Sequence, residues 1–114
     1  MAETFNRASA AITTTAVDVY SCPSTASSDR AVVLSVMIAN VDGTDNADVT
    51  AFIKDSGGNA IAGAKLANTI QVQADSSLEL IANKLILKNG ETLALQANVD
   101  NRLEATVSVL EITA

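Results

Sequence analysis

The stretch "AVVLSVMIANV" (Ala31–Val41) decides the fold of this chain. Its side chains alternate at period two, which is typical of a β-strand and divides the strand into two faces. One face carries Val32, Leu34, Val36 and Ile38. The other face carries Val33, Ser35, Met37 and Ala39. Because both faces are small or apolar, we expect this strand to be central in its layer and covered twice, by a second sheet or by a neighbouring subunit.

Other short alternations lie on both sides of this strand. "ADVTAFIKD" (Ala47–Asp55) follows at once and is predicted to be its hairpin partner. The glycine-rich "DSGGNAIAGAK" (Asp55–Lys65) then predicts a turn or a wide loop. Further strands are predicted at "SAAIT" (Ser9–Thr13), "AVDVY" (Ala16–Tyr20), "TIQVQ" (Thr69–Gln73), Leu78–Leu80, Leu85–Leu87, Leu93–Val99 and "RLEATVSVLEI" (Arg102–Ile112).

The turns and the length complete the prediction of the fold. Asn89-Gly90 predicts a tight hairpin turn, because both central residues of a type I′ turn need positive φ. No window has apolar residues at helical spacing over the roughly ten positions that a stable helix needs. We therefore predict an all-β fold: a single-domain antiparallel β-sandwich of about eight strands over residues 1–114, jelly-roll-like or a partly closed barrel. Residues 1–15 are predicted to form an N-terminal arm or first strand.

Composition restricts the possible partners. Hydrophobic residues make up 48% of the chain, but it has only two Phe, one Tyr and no Trp, so the core must be aliphatic. Thirteen acidic residues against seven basic ones give a net charge of -6, which repels nucleic acid and acidic membrane surfaces. The N-terminal segment carries Glu3 and Arg7 and lacks a continuous apolar stretch, so neither a signal peptide nor a membrane anchor is expected. We predict a soluble, non-secreted protein.

Reactive side chains are sparse. The chain has no histidine, which excludes Ser-His-Asp and Cys-His arrangements and imidazole ligands for zinc. Cys22 is the sole cysteine and has no intrachain partner, which fits assembly in a reducing compartment. Glu79 alternates with Leu78 and Leu80, so we expect it to point into water. The protein is expected to be no enzyme and to carry no cofactor.

The stretch "NVDGTDNADVT" (Asn40–Thr50) places three aspartates, Asp42, Asp45 and Asp48, at an even spacing of three. They are weak candidates for a cation site. A calcium loop of the EF-hand type has acids at alternate positions, a glutamate at its twelfth position and flanking helices, all of which are lacking here. Asp and Asn also favour turns, because their side chains bond nearby backbone amides. We therefore prefer a turn between two strands.

Two longer stretches carry a resemblance to known proteins: "AVVLSVMIANVDGTDNADVTAFIKDS" (Ala31–Ser56) and "VQADSSLELIANKLILKNGETLALQANVDNRLEATVSVLEI" (Val72–Ile112). Their sequence of a valine-rich strand, a Gly-Thr turn, an "SSL" segment, a "KLILKNGETL" hairpin and a closing "VSVLEI" resembles a group of small structural proteins of tailed bacteriophages, cyanophages among them. The resemblance spans about Tyr20–Ile112. It implies that Asp42, Asp45 and Asp48 are turn acids and that the protein belongs to a virion.

The predicted function is therefore that of a virion structural protein of a tailed phage, assembled in the host cytoplasm. As a capsid decoration or cement protein it would bind the capsid lattice as a homo-oligomer such as a trimer. Its partners would be further copies of itself and the major capsid protein or another virion protein. We predict an interface on the face with Val33, Met37 and Ala39, joined by the arm around Phe5. For this face, burial inside the sandwich is the alternative.

Two other functions remain open. The first is a neck, tail, collar or baseplate subunit of the same kind of particle. The second is a β-sandwich that binds a carbohydrate or a host receptor. Sugar faces are commonly held by aromatic rings, and Phe5, Tyr20 and Phe52 are too few and too dispersed in the sequence to predict such a platform.

Overall fold

The computed structural model describes residues 2–81 and 84–113 of the chain. The regular structure in this part consists of nine β-strands. They are β1 (Ala2–Ile12), β2 (Val17–Ser21), β3 (Arg30–Asn40), β4 (Ala47–Lys54), β5 (Ala60–Val72), β6 (Ser77–Glu79), β7 (Leu85–Lys88), β8 (Thr92–Ala97) and β9 (Leu103–Thr113).

The strands form two antiparallel sheets. The first sheet has the order β1-β9-β3-β6, and the second has the order β2-β8-β4-β5. Strand β7 also pairs with β3, at residues 30–33, whereas β6 pairs with β3 at residues 37–39, so these two short strands share one position in the first sheet. The chain changes sheet at every connection except β4–β5 and β6–β7. This is the winding of a jelly roll with one interrupted strand, which confirms the predicted all-β sandwich and explains the ninth strand.

Strand β4 does not pair with β3, so the predicted hairpin between them is wrong. It lies in the second sheet between β5 and β8. The connection 41–46 carries the chain from one sheet to the other. An alternating pattern fixes which side chains point inward, but it is the same for a strand that turns back and for one that crosses to the opposite sheet.

Two predicted turns differ in detail from expectation. The glycine-rich loop is short, since the Asp55 N–H donates to the Asn59 C=O at 2.7 Å and β5 begins at Ala60. The turn at Asn89-Gly90 is present, and the Glu91 N–H donates to the Lys88 C=O at 3.0 Å. Of its two central residues only Gly90 has positive φ, at 77°, which is the pattern of a type II turn. The turn therefore links β7 in one sheet to β8 in the other, and it closes no hairpin.

The core lies between the two sheets and is aliphatic, as predicted. Its largest fully buried side chains are Ile12, Ile38, Leu87, Leu93, Leu95, Leu103, Val33, Val36, Val49, Val72, Val107 and Val109. The segment predicted as an N-terminal arm forms β1, which pairs with β9 along its whole length. It is therefore an edge strand of the first sheet.

Candidate interaction surface

A β-bulge in β3 sets which of its side chains reach the surface. The ladder between β3 and β9 shifts register between Val33 and Ser35, so β3 has one extra residue there. The extra residue reverses the alternation. Val33 is fully buried and points inward with Val36, while Met37 is 39% exposed on the outer face. The predicted face is therefore wrong at Val33, which belongs to the core.

The side chain of Glu79 on β6 holds this bulge. One carboxylate oxygen accepts the Ser35 hydroxyl, and the other accepts the backbone N–H groups of Val36 at 2.9 Å and Ile81 at 3.1 Å. Partial burial raises the pKa of Glu79, but these hydrogen bonds lower it by more, so the pKa lies below its usual range. Glu79 is exposed, as expected, and it also satisfies a backbone amide that the irregular ladder would leave without a partner.

An apolar row crosses the outer face of the first sheet. The register places Phe5 opposite Leu110, Leu110 opposite Val32, and Val32 opposite Ile86. Directly paired residues of antiparallel strands point to the same face, so all four side chains share this surface. Phe5 is 77% exposed and Ile86 is 62% exposed. We call these four residues the outer row.

Basic side chains lie on both sides of the outer row. Arg30 pairs in register with Lys88 on one side of it. On the other side, Arg7 pairs with Ser108 and lines an open depression of about 470 Å³ together with Phe5 and Leu34. Three of the seven basic residues of an acidic chain thus border its most exposed apolar side chains. Apolar surface with a polar rim is typical of protein interaction sites.

The structure brings together three of the four predicted interface residues. Phe5, Met37 and Ala39 all lie on the outer face of the first sheet, and Val33 does not. Sequence reasoning missed the rest of the outer row: Val32, Ile86 and Leu110. The sequence contains one signal for this row: along β9 the apolar residues stand at odd positions up to Val109 and at even positions from Leu110. This change brings an apolar side chain to the outer face of β9. The register that aligns these residues across four strands is not a property of the sequence pattern.

The three aspartates of the stretch Asn40–Thr50 lie in different elements: Asp42 and Asp45 are in the connection 41–46, and Asp48 is on β4. Asp42 Oδ2 accepts the backbone N–H groups of Thr44 at 3.1 Å and Asp45 at 2.6 Å, and these bonds hold the pKa of Asp42 below its usual range. Asp45 forms a salt bridge of 3.3 Å with Arg102. This is the turn geometry that the residue types favour. Within residues 2–81 and 84–113, no group of three or more His, Cys, Asp or Glu side chains is placed to hold a metal ion.

A partly buried polar cluster joins β1, β2 and β9 at the edge of the core. The Tyr20 hydroxyl donates to Glu111 Oε2 at 2.6 Å, and Asn6 Nδ2 donates to the same oxygen at 3.3 Å. Burial and the neighbouring Glu111 carboxylate raise the pKa of Tyr20. Burial also raises the pKa of the Cys22 thiol, which is 3% exposed. A buried thiol with a raised pKa is a poor nucleophile, so the cluster is structural in character.

The aromatic side chains lie in three different places. Phe5 is on the outer face of the first sheet, Tyr20 is buried, and Phe52 lies on β4 in the second sheet beside a shallow depression of about 320 Å³. This dispersion is as the sequence predicts.

The described residues also contain no helix that could span a membrane.

Comparisons with known proteins find likeness of structure only. No protein-family model and no curated protein matches the sequence. A chain from the acid-stable capsid of Helicobacter pylori bacteriophage KHP30 is similar at a TM-score of 0.58 and 12% identity, with 99% of this chain and 89% of that chain covered. A chain from Bacillus endospore appendages, described as a novel family of disulfide-linked pili, is similar at a TM-score of 0.54 and 14% identity, with 96% and 84% covered. At these identities the likeness shows a shared fold.

Proposed function

We propose that this protein is a structural component of a phage particle that binds the capsid lattice as a homo-oligomer, in the role of a decoration or cement protein. The observation that carries the proposal is the outer row, with its exposed Phe5 and Ile86. Exposed apolar side chains that are contiguous, as in this row, are typical of a surface that another protein covers. The partners proposed for this surface are the major capsid protein or another virion protein.

Two further observations support this role. The acidic side chains that the sequence singled out have structural contacts among the described residues: Asp42 caps a turn, Asp45 pairs with Arg102, and Glu79 holds a bulge. The jelly roll is a fold of viral capsid domains in general, and a chain of one phage capsid shares the fold of this chain. Repeated contacts from an oligomer would multiply a weak contact at each site, which is what attachment to a lattice needs.

Pilus-like assembly is the less favoured alternative. The Bacillus appendages of similar fold are described as disulfide-linked. The sole cysteine of this chain, Cys22, is 3% exposed and lies among core residues. A bond from it to a second chain would require the core to open, so a covalent fibre is not supported.

Purified particles provide the first test. Mass spectrometry should detect the protein in the virion, and electron microscopy should locate it on the outside of the capsid. Density at the neck, collar, tail or baseplate would favour the alternative placement within the same particle. Absence of the protein from the virion would overturn the proposal.

A binding assay tests the surface itself. Purified protein is added to particles that lack it, and the bound fraction is measured by co-sedimentation. Ile86→Asp should weaken binding by about tenfold or more, because it places a charge within the apolar contact. Ile70→Asp is the matched control, since Ile70 is also an exposed isoleucine, at 42%, but lies on β5 in the second sheet. Equal binding of the two variants would exclude the outer row as the contact.

A further inference from the structure

Strand β1 is the one long and regular sheet edge in the part of the chain that the structure describes. Its pairing with β9 runs through eleven residue pairs with no shift of register. The other edges are broken: β6 and β7 have three and four residues, β2 has a shift in register after Asp18, and β5 has three shifts against β4. Bulges and short strands are the devices that keep sheet edges from pairing with other chains. Strand β1 lacks them.

The backbone of β1 turns hydrogen-bonding groups toward this edge. The Arg7 N–H donates to the Asn6 side chain, at 2.8 Å to Oδ1, so this N–H faces away from β9. In an antiparallel ladder, successive residues alternate between facing one neighbour and facing the other. The N–H and C=O groups of Glu3, Phe5 and Ser9 therefore face the free edge as well.

The side chains in the first half of β1 leave room for a partner. Residues from Glu3 to Arg7 are all exposed, although they include side chains on both faces of the strand. A further strand can therefore be added beside it without displacing core residues.

The segment from Glu3 to Arg7 is complementary to itself. When two copies run antiparallel about a two-fold axis at Phe5, Glu3 of each copy lies opposite Arg7 of the other. Thr4 then lies opposite Asn6, and the two Phe5 rings are neighbours on one face. Opposite charges, polar pairs and aromatic pairs at directly opposed positions each stabilise antiparallel strands. Within the described residues neither Glu3 nor Arg7 forms a salt bridge in its own chain.

The backbone selects the same register. In antiparallel strands the residues that exchange both hydrogen bonds lie directly opposite each other, and here those residues are the odd-numbered ones that face the edge. The pairs Glu3 with Arg7 and Phe5 with Phe5 meet this requirement, with the Arg7 N–H exchanging Asn6 Oδ1 for the Glu3 C=O of the second copy. A shift of two residues would place Glu3 opposite Phe5 or Ser9, and both charge pairs would be lost. Side chains and backbone thus specify one alignment.

We propose that β1 pairs with β1 of a second copy of this chain, antiparallel about a two-fold axis at Phe5, so that two first sheets become one. The outer rows of the two copies then form one continuous apolar row, because the two Phe5 side chains lie on the same face. This pairing names the self-contact of the homo-oligomer in the proposed function, and its place in the particle rests on that function. A two-fold contact of this kind is isologous, with the same surface used by both copies.

Charge exchange tests the pairing in purified protein. Sedimentation equilibrium up to about 1 mM should give a dimer or an even-numbered oligomer. Glu3→Arg alone and Arg7→Glu alone each turn two attractive pairs into repulsive ones, and each should raise the dissociation constant about tenfold or more. The double variant restores both pairs and should recover the wild-type value. A mixture of the two single variants should form heterodimers.

Glu104→Arg is the matched control, because it makes the same change of charge at an exposed site on the outer face of β9. Circular dichroism checks that each variant is folded. A wild-type protein that stays monomeric, or an oligomer that responds equally to all single variants, would overturn the pairing. These results are independent of the virion test: a protein found in particles whose β1 strands do not pair retains its proposed place in the particle, and a paired protein absent from particles loses it.

Discussion

The carboxylate of Glu79 accepts the backbone N–H of Val36 at 2.9 Å, across from β6 to the bulge of β3. This contact links a surface acid to the register of the central strand. The bulge decides that Val33 is core and that Val32 joins the outer row, so the apolar surface depends on the same local irregularity. The sequence predicts only that Glu79 points into water, and the structure shows that its side chain supports the candidate site.

Replacing Glu79 by Gln should destabilise the fold by about 1 kcal/mol, because an amide cannot accept at both of its terminal atoms. The free energy of unfolding from urea denaturation measures the loss. Since the pKa of Glu79 is lowered in the folded state, its contribution is present above the ordinary value of 4.5 and is lost as the pH falls through the folded value. The difference between wild type and variant should therefore shrink on acidification. Glu104→Gln is the control, and an equal loss there would contradict the role of Glu79.

Tyr20 should remain protonated well above pH 10, its ordinary pKa, while the protein stays folded. It is the only tyrosine, so the tyrosinate absorbance reports on this side chain alone. Because the folded state raises this pKa, the stabilisation is present below the unfolded value and is lost as the pH rises through the folded one. We expect ionisation to coincide with alkaline unfolding seen by circular dichroism. Titration near pH 10 in a folded protein would show that the bond to Glu111 is absent.

Gly90→Ala should cost more stability than Gly58→Ala. Both glycines have positive φ, 77° and 85°, so both substitutions carry the backbone penalty of about 1 kcal/mol. At Gly90 the added Cβ would also meet Ser56 Cβ at 2.9 Å, whereas at Gly58 nothing lies within 4 Å. We expect roughly 1–3 kcal/mol of further loss at Gly90. Thermal unfolding of both variants checks the difference, and adding Ser56→Gly should recover part of it.

Aspartate at two positions of β3 should separate the core from the surface. Val33→Asp should unfold the chain, because it buries a charge at a site with no exposure, at a cost of more than about 3 kcal/mol. Met37→Asp should leave a folded protein, since Met37 is 39% exposed, and should weaken binding to the particle, since Met37 lies on the same outer face as the outer row. Circular dichroism and sedimentation measure the two effects. A Met37→Asp chain that fails to fold would mean that this side chain acts as core.

Millimolar calcium should leave the melting temperature unchanged. The Asp42 carboxylate already accepts two backbone N–H groups, and Asp45 pairs with Arg102. An ion that bound the folded state would stabilise it in proportion to the logarithm of its concentration over its dissociation constant. A rise of several degrees would contradict the turn assignment of this loop, and a titration with magnesium would then test its selectivity.

Local pattern was sufficient to predict most of the strands. Alternation at period two located β3, β4, β8 and β9 to within a few residues, because the inward-facing side chains of a half-buried strand must be apolar. It was insufficient for the partner of β4 and for the full length of β5, which begins within the stretch predicted as a loop. Pairing depends on contacts between residues far apart in the chain, and the pattern of one strand contains no information on its neighbour.

The sequence by itself determined the all-β class, the aliphatic core and the scarcity of reactive groups, because each follows from residue types and their local spacing. The tertiary structure alone decided which apolar side chains remain outside. The outer row consists of residues from four strands that the register of strand pairing brings side by side. The bulge after Val33 allows Val32 to lie in this row while Val36 points into the core. Register is fixed by packing of the whole sandwich, so the surface on which the proposed function depends exists only once the chain has folded.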